Sequence, residues 1–119
     1  MIIGKEFTFE AAHFLPGHEK CGRTHGHTYR LTVEVEGRVN QYEMVMDLHE
    51  LSDIVREVIE QFDHSLLNDR FYTPTCEHMA AWIAMRIEAS LPIFAEHPLR
   101  VHSVKLQEGE GGYAYYRIS

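Results

Sequence analysis

Long apolar runs, clustered positive charge and cysteine are all scarce in this chain. No stretch approaches the roughly 18 apolar residues of a membrane-crossing helix. The opening Met1-Ile2-Ile3-Gly4-Lys5-Glu6 lacks the long apolar region of a signal peptide. A soluble, cytoplasmic protein with no membrane partner is the expectation. Lys and Arg number 11 against 18 Asp and Glu, a net charge of −7, and no basic run occurs. Neutralising phosphates needs clustered positive charge, so a general nucleic-acid-binding surface is excluded. Two cysteines, Cys21 and Cys76, could form one bridge at most, but a domain of 119 residues with 45% hydrophobic content needs no staple. Both are expected as free thiols. Repeats, low-complexity segments and interdomain linkers are absent too, which leaves one domain spanning 1–119.

Histidine, in contrast, is abundant, with nine in the chain. Three imidazoles and a thiol, His13, Cys21, His25 and His27, fall within fifteen residues. These side chains bind a borderline-soft metal or move protons near neutral pH. From residue 5 to 14 the odd positions Phe7, Phe9, Ala11 and His13 share one face of a period-two pattern, which predicts a half-buried strand with His13 pointing inward. Residues 28–36 repeat it with Tyr29, Leu31, Val33 and Val35. Extended backward, the same parity puts His25 and His27 on the apolar face of the second strand, so an antiparallel pair aims all three imidazoles into one space. Residues 15–24, with Pro16, Gly17 and Gly22, form the connecting loop.

Asp47 followed by Glu50 resembles a capping box, and Leu48, Leu51, Val55, Val58, Ile59 and Phe62 then recur at helical spacing. A second helix is predicted from an N-cap at Thr75 through Met79, Ile83 and Ile87 to a stop near Pro92. The polar stretch Asp63–Asp69 lies between them. Strands return at 101–108 and 113–118 around the turn Gly109-Glu110-Gly111-Gly112, with His102, Val104, Leu106 and Glu108 on one face of the first. The order ββααββ gives an α+β fold, a four-stranded antiparallel sheet with two helices on one face. Four strands leave open edges, so edge-to-edge assembly into a ring of subunits is expected.

Three neutral imidazoles fill three corners of a tetrahedron, and a three-histidine zinc with an open fourth position is the catalytic pattern. Cys21, between Lys20 and the Gly22-Arg23 pair, can be a zinc ligand, a nucleophile or a proton acceptor. Asp63-His64 is either a helix stop, with the imidazole at the dipole's negative end, or a carboxylate orienting an imidazole for acid–base work. Glu108, a carboxylate on an inward face, needs a partner, and a ligand offering two parallel N–H groups is one. Cys76, at the first position of the second helix, reads as a buried filler. His18, His49, His78, His97 and His102 have no assignable partners.

Taken together, Phe7-x-Phe9-x-Ala11-Ala12-His13, Cys21-x-x-x-His25-Gly26-His27, Asp63-His64, Thr75-x-Glu77 and Glu108 resemble the 6-pyruvoyltetrahydropterin synthase and 6-carboxytetrahydropterin synthase family over nearly the whole chain. The three residues between Cys21 and His25 are similar to the carboxytetrahydropterin synthases of queuosine and deazapurine biosynthesis. The resemblance implies the tunnelling fold, a homohexamer built as a dimer of trimers with sites between subunits, and 7,8-dihydroneopterin triphosphate as substrate. It implies 6-carboxy-5,6,7,8-tetrahydropterin, acetaldehyde and triphosphate as products, with pyruvoyl formation as the alternative. It assigns Zn2+ to His13, His25 and His27, and proton acceptance to Cys21. Asp63 and His64 become a second proton-handling pair, Glu108 the pterin anchor, and Thr75 and Cys76 further substrate contacts. Cys76 stands where the family usually has a hydroxyl, and Gly109 where it has a polar residue. A chain at −7 that binds a triphosphate needs a local cationic solution, from Lys20, Arg23 or a neighbouring subunit.

Overall fold

A computed structural model describes residues 1–118. Strands β1 (Ile2–His13) and β2 (His25–Glu36) form a long antiparallel ladder in which Phe7 faces Leu31, Phe9 faces Tyr29 and His13 faces His25. Helices α1 (Leu48–Ile59) and α2 (Cys76–Ser90) follow, separated by a two-residue strand β3 (Ser65–Leu66) and a short 3-10 turn. Strands β4 (Arg100–Glu108) and β5 (Gly112–Arg117) close the chain. The fold class is α+β, as expected.

Parity sorts the two faces of the sheet. Phe7, Phe9 and Ala11 of β1, Tyr29, Leu31, Val33 and Val35 of β2, and Val104 and Leu106 of β4 are buried in one core. Over it lie Leu51, Val55, Val58 and Ile59 of α1 and Met79, Ala80, Ile83, Ala84 and Ile87 of α2. Each fully buried large apolar side chain of this set contributes about 1.5–3 kcal/mol. The opposite face is polar and carries cross-strand pairs such as Glu6 with Arg30 at 3.0 Å and Glu10 with the Thr28 hydroxyl. Both helix starts are capped from the side chain: Asp47 accepts from the His49 N–H at 2.8 Å, and Thr75 from the His78 N–H at 3.1 Å. Phe62, expected to extend α1, lies in the turn beyond it but remains fully buried.

Two expectations need correction. The sheet has five strands in the order β3-β1-β2-β4-β5 and is mixed, because Ser65–Leu66 pairs parallel with Ala11–Ala12 on the outer edge of β1. The cause is the reversal after α1: His64 takes a left-handed φ of 59° and donates its N–H to the Glu10 carbonyl at 2.5 Å. The Asn68 amide then clamps Phe14, accepting from its N–H and donating to its carbonyl. The second correction concerns His102. The β2–β4 register shifts between Glu34 and Val35, so Val101 joins Val104 and Leu106 in the core, while His102 and Ser103 both turn toward Glu34. A bulge reverses face parity on either side of itself, which a strict alternation cannot register.

Candidate active site

His13, His25 and His27 come together because β1 and β2 meet there in register. His13 faces His25 across the last rung and Ala11 faces His27 two rungs in. The rings stand edge to face, with centroids 4.7 Å apart for His13 and His25, 4.8 Å for His25 and His27, and 5.2 Å for His13 and His27. Two of the rings are oriented by carbonyls. His13 Nδ1 donates to the Pro74 carbonyl at 2.8 Å, and His25 Nδ1 donates to the Arg23 carbonyl at 2.6 Å. That tautomer leaves each Nε2 with a lone pair, the arrangement second-shell partners impose on metal-binding imidazoles. His13 is 1% exposed, and the Nε2 atoms of His13 and His27 are buried with no hydrogen-bond partner among the described residues. One ligating atom from each histidine lies within 4.8 Å of the others. Buried acceptors that converge without a donor fit a cation, so the three residues could hold a metal. Burial chiefly, aided by the neighbouring imidazoles and opposed by Glu108, lowers the His27 pKa and favours the neutral form that a metal requires.

Glu108, at the end of β4, joins this cluster. Its Oε1 lies 3.1 Å from His27 Nε2 and its Oε2 3.8 Å from His13 Nε2. Cys76, the first residue of α2, donates its thiol hydrogen to Glu108 Oε2 at 3.4 Å. Burial first, then the Glu108 carboxylate, pushes the Cys76 thiol up to about 12. Thr75 is occupied in capping α2.

Asp63 and His64 sit on the outer edge of β1. Asp63 Oδ1 accepts the Glu10 N–H at 2.9 Å and lies 2.9 Å from His64 Nδ1, while His64 itself is 78% exposed. A cleft of about 600 Å³ is lined by both His64 and His27, together with Glu10, Thr24 and Thr28. Cys21 lies apart, half-buried in the loop between His13 and His25, its N–H bonded to His18 Nδ1 and its carbonyl to the Leu15 N–H. It is outside the group of residues whose ligand atoms converge. The structure therefore brings His13, His25, His27, Glu108 and Cys76 into contact, places His64 on the same cleft as His27, and leaves Cys21 in the adjoining loop.

Two participants escaped the sequence reading. The Pro74 carbonyl orients His13, and the buried Tyr29 hydroxyl lies 3.4 Å from the same Nδ1. Tyr29 shares the inward parity of His27 and was legible in that sense; the Pro74 carbonyl carries no side-chain signal at all.

The family profile described as 6-pyruvoyl tetrahydropterin synthase matches residues 2–119. A protein of Archaeoglobus fulgidus provisionally named 6-carboxy-5,6,7,8-tetrahydropterin synthase is 44% identical over 117 residues, covering 98% of this chain and 96% of that one. The 6-carboxy-5,6,7,8-tetrahydropterin synthase of Synechocystis is 40% identical, covering 90% and 85%. A dihydroneopterin monophosphate aldolase of Pyrococcus furiosus is 40% identical over 85 residues, covering 71% and 73%. The fold is shared with the 6-pyruvoyl tetrahydropterin synthase of Caenorhabditis elegans, with a TM-score of 0.86 at 22% identity over 100% of this chain and 96% of that one. With nearly every residue inside the family match, this chain belongs to the 6-pyruvoyl tetrahydropterin synthase family.

Proposed function

We propose that the protein is a zinc-dependent lyase that converts 7,8-dihydroneopterin triphosphate and water to 6-carboxy-5,6,7,8-tetrahydropterin, acetaldehyde and triphosphate, in queuosine and related deazapurine biosynthesis. The supporting observation is the set of converging imidazoles with carbonyl-anchored Nδ1 atoms, next to the inward carboxylate of Glu108. His13, His25 and His27 would hold the zinc. Bound there, zinc would act as a Lewis acid that makes the C–H bonds beside the substrate's side-chain oxygens more acidic.

The remaining roles fall to the chain's own groups. Glu108 can accept two hydrogen bonds from the aminopyrimidinone edge of the pterin and so fix the ring relative to the histidines. Cys21, on the loop between two of those histidines, takes a proton from the side chain as thiolate. His64, with Nδ1 on Asp63 and its side chain lining the cleft it shares with His27, returns a proton from the other direction. Cys76 holds Glu108 through its thiol, and Thr75 fixes the start of α2 from which that thiol projects. In this reading residues 1–119 are one catalytic domain, assembled in the cytoplasm into a hexamer with sites between subunits.

Incubation of the zinc-loaded protein with 7,8-dihydroneopterin triphosphate, followed by mass spectrometry, tests the assignment. Acetaldehyde with the carboxy product is expected; pyruvoyl product without acetaldehyde makes the protein a 6-pyruvoyltetrahydropterin synthase instead. The aldolase among the relatives adds a parallel incubation with dihydroneopterin monophosphate, where efficient carbon–carbon cleavage would move the assignment to that activity. A non-catalytic metal-binding role is the reading left if Cys21→Ala leaves every measured activity unchanged, whereas the enzyme loses nearly all turnover and keeps its zinc.

A further inference from the structure

We propose that Glu108 is an exchangeable fourth donor to the metal when no pterin is bound, and that the pterin ring draws it away. The inference rests on the reading that the three imidazoles hold zinc. Glu108 lies against two of the three nitrogens that would face the metal, 3.1 Å from His27 Nε2 and 3.8 Å from His13 Nε2. In a tetrahedral site with zinc–ligand bonds of about 2.0–2.1 Å, neighbouring donor atoms are separated by about 3.3–3.4 Å. A carboxylate oxygen already near that spacing from two imidazole nitrogens needs only a small side-chain adjustment to take the next corner.

Electrostatics favours the same outcome. Glu108 Oε1 lies 3.1 Å from His27 Nε2 without a hydrogen bond between them. Among the described residues Oε1 has no hydrogen-bond donor, although the side chain is only 29% exposed. A half-buried carboxylate without a partner is costly, and a dication a bond length away is the counter-charge that satisfies it. The other oxygen is occupied by the Cys76 thiol at 3.4 Å, which leaves Oε1 as a single-point donor. The backbone is fixed: Gly109, at φ 60°, donates its N–H to the Thr28 carbonyl at 2.9 Å, so release is a side-chain swing and not a movement of β4.

The pterin edge offers this carboxylate two N–H donors at once. Ring binding would then exchange an ionic bond for a bidentate one and vacate the metal corner that the substrate's side-chain oxygens need. The same residue would thus keep the metal site closed at rest and open it only for a molecule carrying the correct ring.

Zinc affinity measured by competition with a chromophoric chelator, and the visible spectrum of the cobalt-substituted protein, test the proposal without recourse to turnover. Glu108→Gln should bind zinc at least about tenfold more weakly than the wild type, on the scale by which losing a metal-site partner weakens binding, with Glu108→Asp in between. In wild-type cobalt protein, 6-methyl-7,8-dihydropterin, which has the ring edge but no side-chain oxygens, should shift the cobalt bands as the carboxylate leaves. Equal zinc affinity in wild type and Glu108→Gln, or a wild-type cobalt spectrum indifferent to that saturating dihydropterin, overturns the exchange and leaves the three-histidine site standing. A wild type that binds neither metal overturns both. The wild-type spectral arm needs no variant, so a folding defect at Glu108 cannot rescue the idea.

Discussion

The Cys76 thiol donates to Glu108 Oε2 across 3.4 Å, joining the first residue of α2 to the last of β4. The bond gives a half-buried cysteine a task that its neutral form alone can perform. With its pKa pushed up to about 12, Cys76 is a hydrogen-bond donor at any physiological pH. It is not a nucleophile.

The two cysteines should therefore differ in reactivity. At pH 8 the native protein is expected to release one equivalent of thionitrobenzoate quickly from 5,5′-dithiobis(2-nitrobenzoic acid), from Cys21, and a second only on unfolding, because the thiolate is the reacting species. Cys76→Ser should keep the fast phase and Cys21→Ala should remove it. Two equally fast thiols would contradict the assignment.

Alkaline pH should destabilise the fold. Cys76 and Tyr29 both have pKa values raised above their ordinary 9.0 and 10.0, chiefly by burial. For each, the folded state holds its proton longer than the unfolded chain does, so the stability contributed is fully present below the unfolded pKa and is lost as pH rises toward the folded one. Urea midpoints of the metal-free protein should fall from about pH 9 to 12 and should fall less steeply in Cys76→Ser. A flat profile over that window would contradict the burial of both groups.

His64 occupies a left-handed backbone conformation that glycine adopts more readily. His64→Gly is expected to raise folding stability by up to about 1 kcal/mol, the order of the left-handed penalty for a side-chain-bearing residue. Turnover should fall by a factor on the order of 100 or more if the imidazole moves a proton. Urea denaturation and steady-state rates would measure the two effects, and a variant that gains stability with full activity would remove His64 from the proton relay.

His13 and His25 should separate structure from metal binding. Either substitution by alanine should abolish stoichiometric zinc in elemental analysis. Only His13→Ala should also weaken the metal-free fold, by about 1–3 kcal/mol, because it leaves the Pro74 carbonyl without its buried donor. Equal destabilisation by both would mean that the Pro74 bond contributes little.

Much of this site could be read from alternation alone. The inward parity of Phe7, Phe9, Ala11 and His13, and of His27, Tyr29, Leu31, Val33 and Val35, decided both the core and the imidazole cluster, since a side chain on a regular strand has two faces to choose from. The same logic failed at His102, where one extra residue in β4 reversed the face, and it could not see β3, whose two residues are too short to show a period. The bond between Cys76 and Glu108 was illegible for another reason. It joins positions 32 residues apart through the angle at which α2 crosses the sheet, and no local pattern encodes that angle.

The pairing of His13 with His25 at the last rung of the β1–β2 ladder has a consequence for the segment between them. A metal shared by these two side chains would cinch the neck of the loop over 14–24 in the folded state, as a removable clip that is lost on unfolding. Cys21 rides on that noose. Metal supply would then set not only the Lewis acidity of the centre but also how firmly the thiol beside it is held, and metal starvation would slacken this loop while the five-stranded sheet stayed intact.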